Sequence, residues 1–128
     1  MPEVKVGVPT IVGPMRIPSK LAWADAMEIL LTGDNIDAEQ AAEIGLAWRV
    51  IPHDDLMDEA YVLAERLCQG APLAVRAVKE VATRSQRMSW SEAVRMGESI
   101  RRIVGITEDA QEGVDAFREK RAPEWKGR

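Results

Sequence analysis

Only two short stretches of this chain read as β-strand, and about 40 residues separate them. The first is Val4 to Val8, where Val4, Val6 and Val8 alternate with Lys5 and Gly7. The second is Ala47 to Ile51, ended by Pro52. Two strands alone make a marginal sheet. The first begins almost at residue 1, with no preceding element to pair with. The expectation is a sheet whose other strands lie outside these 128 residues. Composition agrees, since Phe, Tyr and Trp number only one, one and four.

The rest of the chain reads as helix and loop. Pro9, Gly13, Pro14 and Pro18 break the chain repeatedly, so that stretch is a loop with at most a short helical turn. Ser19 is expected to cap a helix through about Leu31, with Gly33 in the left-handed position that ends it. Asp37 and Gln40 have capping-box spacing and open a short helix that stops at Gly45. Asp54 and Asp55 open a third helix, their carboxylates suiting its dipole. Its Leu56, Met57, Ala60, Leu63, Ala64, Leu67 and Cys68 have the spacing of a one-sided core helix. Pro72 fits the first position of a fourth. Ser89 and Glu92 form a second capping box before a fifth, and Thr107 caps a sixth. The tail from Arg121 to Arg128, with Pro123 and Gly127, is expected to be irregular.

Several classes of function drop out. The length suits one domain, which could bury about two-thirds of its unfolded surface if it folded alone. With one Cys no internal disulfide can form, and with one Cys and one His a zinc site built on those residues is not expected. Apolar runs such as Ile29-Leu30-Leu31 are far too short to span a bilayer, and the first residues are not expected to act as a signal peptide. A net charge of -4 argues against nucleic acid as the main partner. No phosphate loop, dinucleotide fingerprint or metal-ligand cluster is present.

The chemistry-bearing residues are few, and each has a plain reading beside the functional one. Glu3, before the first strand, could be a general acid or base if burial raised its pKa; alone it reads as a solvated terminal carboxylate. His53, between Pro52 and two aspartates, reads as a helix-start residue before it reads as a base. Cys68 reads as a small core residue. Trp23, Trp48, Trp90 and Trp125 are too scattered to form a stacking platform. Arg118, Lys120, Arg121, Lys126 and Arg128 could hold phosphates, but first read as a solvated helix end.

Taken together, the segments resemble the crotonase (enoyl-CoA hydratase/isomerase) superfamily. Pro2-Glu3-Val4-Lys5-Val6-Gly7-Val8-Pro9 is similar to its Pro-Glu-strand-Gly-x-Pro segment. Met27 to Asp34, Ile36 to Ala41, Gly45-Leu46-Ala47 and Val50-Ile51-Pro52 follow its pattern in order. So do Ala71 to Val75 and Lys79-Glu80. Thr107-Glu108-Asp109, Glu112-Gly113, Ala116-Phe117, Glu119-Lys120-Arg121 and Trp125 to Arg128 resemble its C-terminal signature. The resemblance covers nearly the whole chain, but only the second half of the family pattern. It leaves room for Met1 to be an internal residue.

The resemblance implies an α/β crotonase spiral fold, of which this chain is the C-terminal portion, predominantly α-helical with about two short strands. Residues 1–70 would end the spiral core, and 71–128 would form a helical trimerisation segment. The intact protein would add water across the 2,3 double bond of an acyl-CoA thioester in acyl-CoA metabolism. Glu3 matches the second catalytic glutamate of the family hydratases, a general acid/base at the α-carbon. Phe117 and Lys120 match positions that reach the adenine and phosphates of coenzyme A bound by a neighbouring subunit. Coenzyme A enters as part of the substrate, and no metal or covalent cofactor is implied. The expected partners are the N-terminal half of the same protein and further copies, as a homotrimer or hexamer. No nucleic acid or membrane is expected, and the setting is cytoplasmic, or the mitochondrial matrix in a eukaryote. The chain alone is expected to be inactive, because the oxyanion-hole amides and main coenzyme A loop lie upstream in the family. Thr10 to Pro18 replaces the family's Gly-rich turn with a bulkier, Pro-punctuated loop. That leaves isomerase, dehydratase or another acyl-CoA lyase open, and a non-catalytic helical oligomerisation module as a reading of another class.

Overall fold

In the computed structural model, which describes residues 1–128, every regular element is helical. The α-helices are α1 (Val12–Arg16), α2 (Trp23–Thr32), α3 (Ala38–Glu43), α4 (Leu56–Cys68), α5 (Pro72–Ser85), α6 (Trp90–Val104) and α7 (Glu108–Glu119). Short 3₁₀ turns cover Pro2–Val6, Ile17–Ser19 and His53–Asp55. The chain divides into two compact units, Met1–Leu56 and Met57–Arg128.

The expected α/β class with two strands is therefore corrected to all-α. Backbone groups go where partners are within reach. In the Val4–Val8 segment the partners are local. The Glu3 carbonyl accepts the Val8 N–H at 3.1 Å and the Val4 carbonyl the Gly7 N–H at 3.4 Å. Pro2 starts that turn and Gly7, left-handed at φ 80°, closes it. At the second segment the Ala47 N–H is taken by the Ala41 carbonyl at 2.8 Å, and residues 47–51 run irregularly into Pro52. Alternation of apolar residues marks a two-faced extended segment; only a neighbouring ladder makes it a strand.

In the first unit, α2 supplies the core. Ala26, Ile29 and Leu30 are buried on it. Leu21, Ala26 and Ile29 form one cluster, with Ile17, Met27, Ile36 and Ile44 packed around it. Helix α2 starts at Trp23, later than expected, because Ser19 ends a 3₁₀ turn and donates its hydroxyl to the Arg16 carbonyl at 2.8 Å. It ends as expected at Gly33, left-handed at φ 64°. The Asp37–Gln40 capping box forms: Oδ1 of Asp37 accepts the Gln40 N–H at 2.8 Å and Oε1 of Gln40 accepts the Asp37 N–H at 3.1 Å.

In the second unit, α5 and α6 form a helical hairpin. Pro72 opens α5 at its first turn, and the connection after Ser85 is short. A Cβ on Gly97 of α6 would lie 3.8 Å from Cγ1 of Val81 on α5, so the glycine lets the helices approach. The Glu92 carboxylate accepts from the Ser89 N–H at 3.0 Å and hydroxyl at 2.6 Å, and Thr107 Oγ1 accepts the Ala110 N–H at 3.2 Å. These sequence-marked helix starts all form. The expected burial of α4 does not: none of its residues is buried, and Cys68 is exposed. Spacing marks a face that packing favours covering, not what covers it.

Candidate functional site

Glu3 lies within the Pro2–Val6 turn. Its Oε2 is buried and has no hydrogen-bond partner in the chain. Desolvating a carboxylate oxygen without a partner is costly, and such groups concentrate where chemistry is done. The turn rests on the C-terminal end of α2. A Cβ on Gly33 would lie 2.9 Å from the Met1 carbonyl oxygen, 2.9 Å from Cγ2 of Val4 and 3.4 Å from Cα of Pro2. Beside it, Lys5 Nζ meets Asp34 Oδ1 at 2.5 Å. Lys5 holds the Asp34 carboxyl below its ordinary value, chiefly through that hydrogen bond. The Met1 side chain packs against Gly13, next to Leu30.

The second unit places its signature residues together at the start of α7. Asp109 is 2 % exposed, and its carboxylate accepts the Lys126 N–H at 2.7 Å and the Gly127 N–H at 2.8 Å. Its own N–H donates to the Arg128 carbonyl at 3.1 Å. One turn on, Glu112 takes Arg121 in a two-pronged pair, 2.6 Å to Nη1 and 2.9 Å to Nη2, and accepts the Glu124 N–H at 2.8 Å. The Trp125 indole donates to the Gln69 carbonyl at 2.9 Å, and a Cβ on Gly113 would lie 3.3 Å from that ring. Together these contacts latch the irregular tail to the helices.

This latch redraws the basic cluster. Arg121 pairs with Glu112 and Glu119, while Lys126 and Arg128 both face Glu108. Arg121 is the one of the three that is half-covered in a two-pronged pair, while Lys126 and Arg128 stay largely exposed beside Glu108. Phe117, 86 % exposed, and Lys120, the left-handed residue that ends α7 at φ 54°, stand at its last turn. Glu3 belongs to the first unit, Phe117 and Lys120 to the second. His53 starts a 3₁₀ turn, in line with its plainer reading. No three His, Cys, Asp or Glu side chains group closely enough to hold a metal ion. No helix is long and apolar enough to cross a membrane. The hold of Asp109 on the tail amides and the Lys5–Asp34 pair were not visible in the sequence. Asp109 stood only within the Thr107-Glu108-Asp109 signature, with no sign of the tail amides it would bind, and nothing local joins residues 29 positions apart.

The profile of the enoyl-CoA hydratase/isomerase family matches residues 1–128. The chain belongs to that family. It is 40% identical over 134 residues to a carnitinyl-CoA dehydratase of Proteus mirabilis, covering 100% of this chain and 51% of the relative. A carnitinyl-CoA dehydratase of Salmonella arizonae is 42% identical over 133 residues, covering 99% and 51%. Among solved structures, an enoyl-CoA hydratase of Mycobacterium marinum superposes with a TM-score of 0.93 at 37% identity, covering 100% of this chain and 51% of that one. One from Mycobacterium tuberculosis gives 0.92 at 39%, covering 99% and 51%. The chain spans about half the length of the curated relatives it matches. For a member of the enoyl-CoA hydratase/isomerase family, the seat of Glu3 and the tail latch are the two places where family-like sequence has become specific geometry.

Proposed function

We propose that this chain is the C-terminal half of an acyl-CoA lyase that adds water to, or removes it from, the 2,3 position of the acyl group. Glu3 is its general acid/base. In the hydration direction water oxygen bonds to the β-carbon as one of its O–H bonds breaks, Glu3 gives a proton to the α-carbon, and the proton that water loses restores the acid, so that H and OH are added in total; dehydration runs the same steps backwards. A carboxyl group can carry that proton when it is held dry and close to the reacting carbon. The buried, unpartnered Oε2 of Glu3 is the observation that supports this role. The enolate charge needs donors beyond these residues, and the reading assigns them to the other half. Coenzyme A is part of the substrate, with Phe117 and Lys120 as its contacts across a subunit boundary, and no metal takes part.

Dehydration of a carnitinyl-CoA is the second form of this reading. It is favoured by the 40% and 42% identity to proteins of that name and by the bulky Thr10–Pro18 segment, folded as α1 and the start of a 3₁₀ turn, which would reshape the acyl pocket. The reading also takes residues 1–70 as the end of a spiral core and 71–128 as an oligomerisation segment in a trimer or hexamer. An apolar groove of about 530 Å3, lined by Leu73, Ala77, Val78, Val81, Gly97 and Ile100 among others, supports an interface on α5 and α6.

The test is turnover of a 2-enoyl-CoA and of carnitinyl-CoA by the full-length protein and its Glu3→Gln variant. The expected loss is about 10²–10⁴-fold. Unchanged turnover removes Glu3 from the mechanism and favours a non-catalytic oligomerisation module. Conversion of a 3-enoyl-CoA to its 2-enoyl isomer, without water uptake, would assign an isomerase instead.

A further inference from the structure

The carboxylate of Glu3 is not aimed by a hydrogen bond to its buried Oε2, so its direction depends on how the Pro2–Val6 backbone is seated. That seat is specific. Gly33 touches the residues on both sides of Glu3, with its would-be Cβ only 2.9 Å from Met1 O and from Val4 Cγ2. Its φ of 64° is left-handed, so any side chain there is strained as well as obstructed. The next residue, Asp34, ties down the far end of the turn through Lys5 at 2.5 Å. Asp34 is itself fixed to α2, its N–H donating to Thr32 Oγ1 at 3.2 Å, while that hydroxyl donates to the Glu28 carbonyl at 2.7 Å.

We propose that Gly33 and the Lys5–Asp34 pair are positioning residues that set where the Glu3 carboxylate points. This rests on the reading of Glu3 as the acid/base. A glycine seat against Met1, Pro2 and Val4, with an ion pair at Lys5, holds the short turn at points before and after Glu3. A misplacement of about 1 Å at a reacting group can cost on the order of 10²-fold in rate. The ion pair is exposed on both sides, at 51% and 67%, so it adds little to stability. Its loss should therefore show in kinetics more than in melting.

The experiment compares Gly33→Ala, Asp34→Asn, Asp34→Glu and Glu3→Gln in the full-length protein. For Gly33→Ala, kcat should fall roughly tenfold or more with KM within about twofold. For Asp34→Asn, kcat should fall about two- to fivefold at unchanged melting temperature, with the acid limb of the pH–rate profile displaced. Asp34→Glu should recover most of that loss. If Gly33→Ala fails to fold, Asp34→Asn decides. Should Glu3→Gln abolish turnover while Asp34→Asn keeps the kcat and pH profile of the parent, the positioning role is overturned and the acid/base role stands. Should Glu3→Gln keep its turnover, the acid/base reading fails and the positioning role with it.

Discussion

Glu112 shows what one side chain does at the end of this chain. It accepts two hydrogen bonds from Arg121 and one from the Glu124 backbone. Arg121 first, then the Glu124 N–H, hold its carboxyl well below the ordinary 4.5, at about 2. A carboxyl whose folded value is depressed stabilises the fold fully above its ordinary value. The contribution is lost as pH falls towards the folded one. The latch should therefore weaken between pH 4.5 and about 2 and not above. Amide exchange at Glu124 and Trp125 fluorescence followed through that range check this. Glu112→Gln should give a loosened tail at every pH, without the acid step. Asp109 is the stronger anchor, being buried and bound to two backbone N–H groups. Asp109→Ala should lower stability by about 2–3 kcal/mol, read by denaturant unfolding, since charged hydrogen bonds carry that order of energy. An effect under about 0.5 kcal/mol, the level of an ordinary surface change, would show the tail to be held by Trp125 and Arg121 instead.

At the scale of elements, helix starts were the most legible feature. Pro72, Ser89, Thr107 and the Asp37–Gln40 pair all open the helices they were expected to open, because a cap is a local contract between neighbouring residues. Helix α3 depends on its cap most, having six residues and none of them buried. Asp37→Ala should cost about 1 kcal/mol and speed amide exchange selectively over 38–43. Equal exchange in both proteins would mean that Ile36 and Ile44, packed against the core cluster, hold α3 in place. The strand expectations failed for the complementary reason. A helix closes its hydrogen bonds within itself, whereas a strand needs a partner that no local pattern names. Val4, Val6 and Val8 alternate as a strand would, yet the Glu3 and Val4 carbonyls found nearer donors.

For the molecule as a whole, surface is the telling quantity. The chain exposes 10229 Å2. Two separate compact units of about 7 kDa each would together expose roughly 8,200 Å2. Large apolar side chains stand in that surface: Trp90 is 84% exposed, Ile106 88% and Phe117 86%. Apolar area on this scale marks surfaces that another body covers. The 128-residue chain alone is therefore expected to bind a hydrophobic dye and to self-associate in sedimentation, and to turn over no enoyl-CoA. A dye-silent, monomeric and active chain would sink the half-enzyme reading. By itself the sequence determined the capping-box and Pro72 helix starts, the Gly33 stop and the family, because capping is short-range and family motifs are collinear. Only the tertiary structure decided that Gly33 and Asp34 seat the Glu3 turn, that Asp109 and Glu112 claim the basic tail, and that α4 is uncovered. Each of these depends on contacts between residues far apart in sequence, or on the lack of them, and neither composition nor periodicity encodes which distant groups meet.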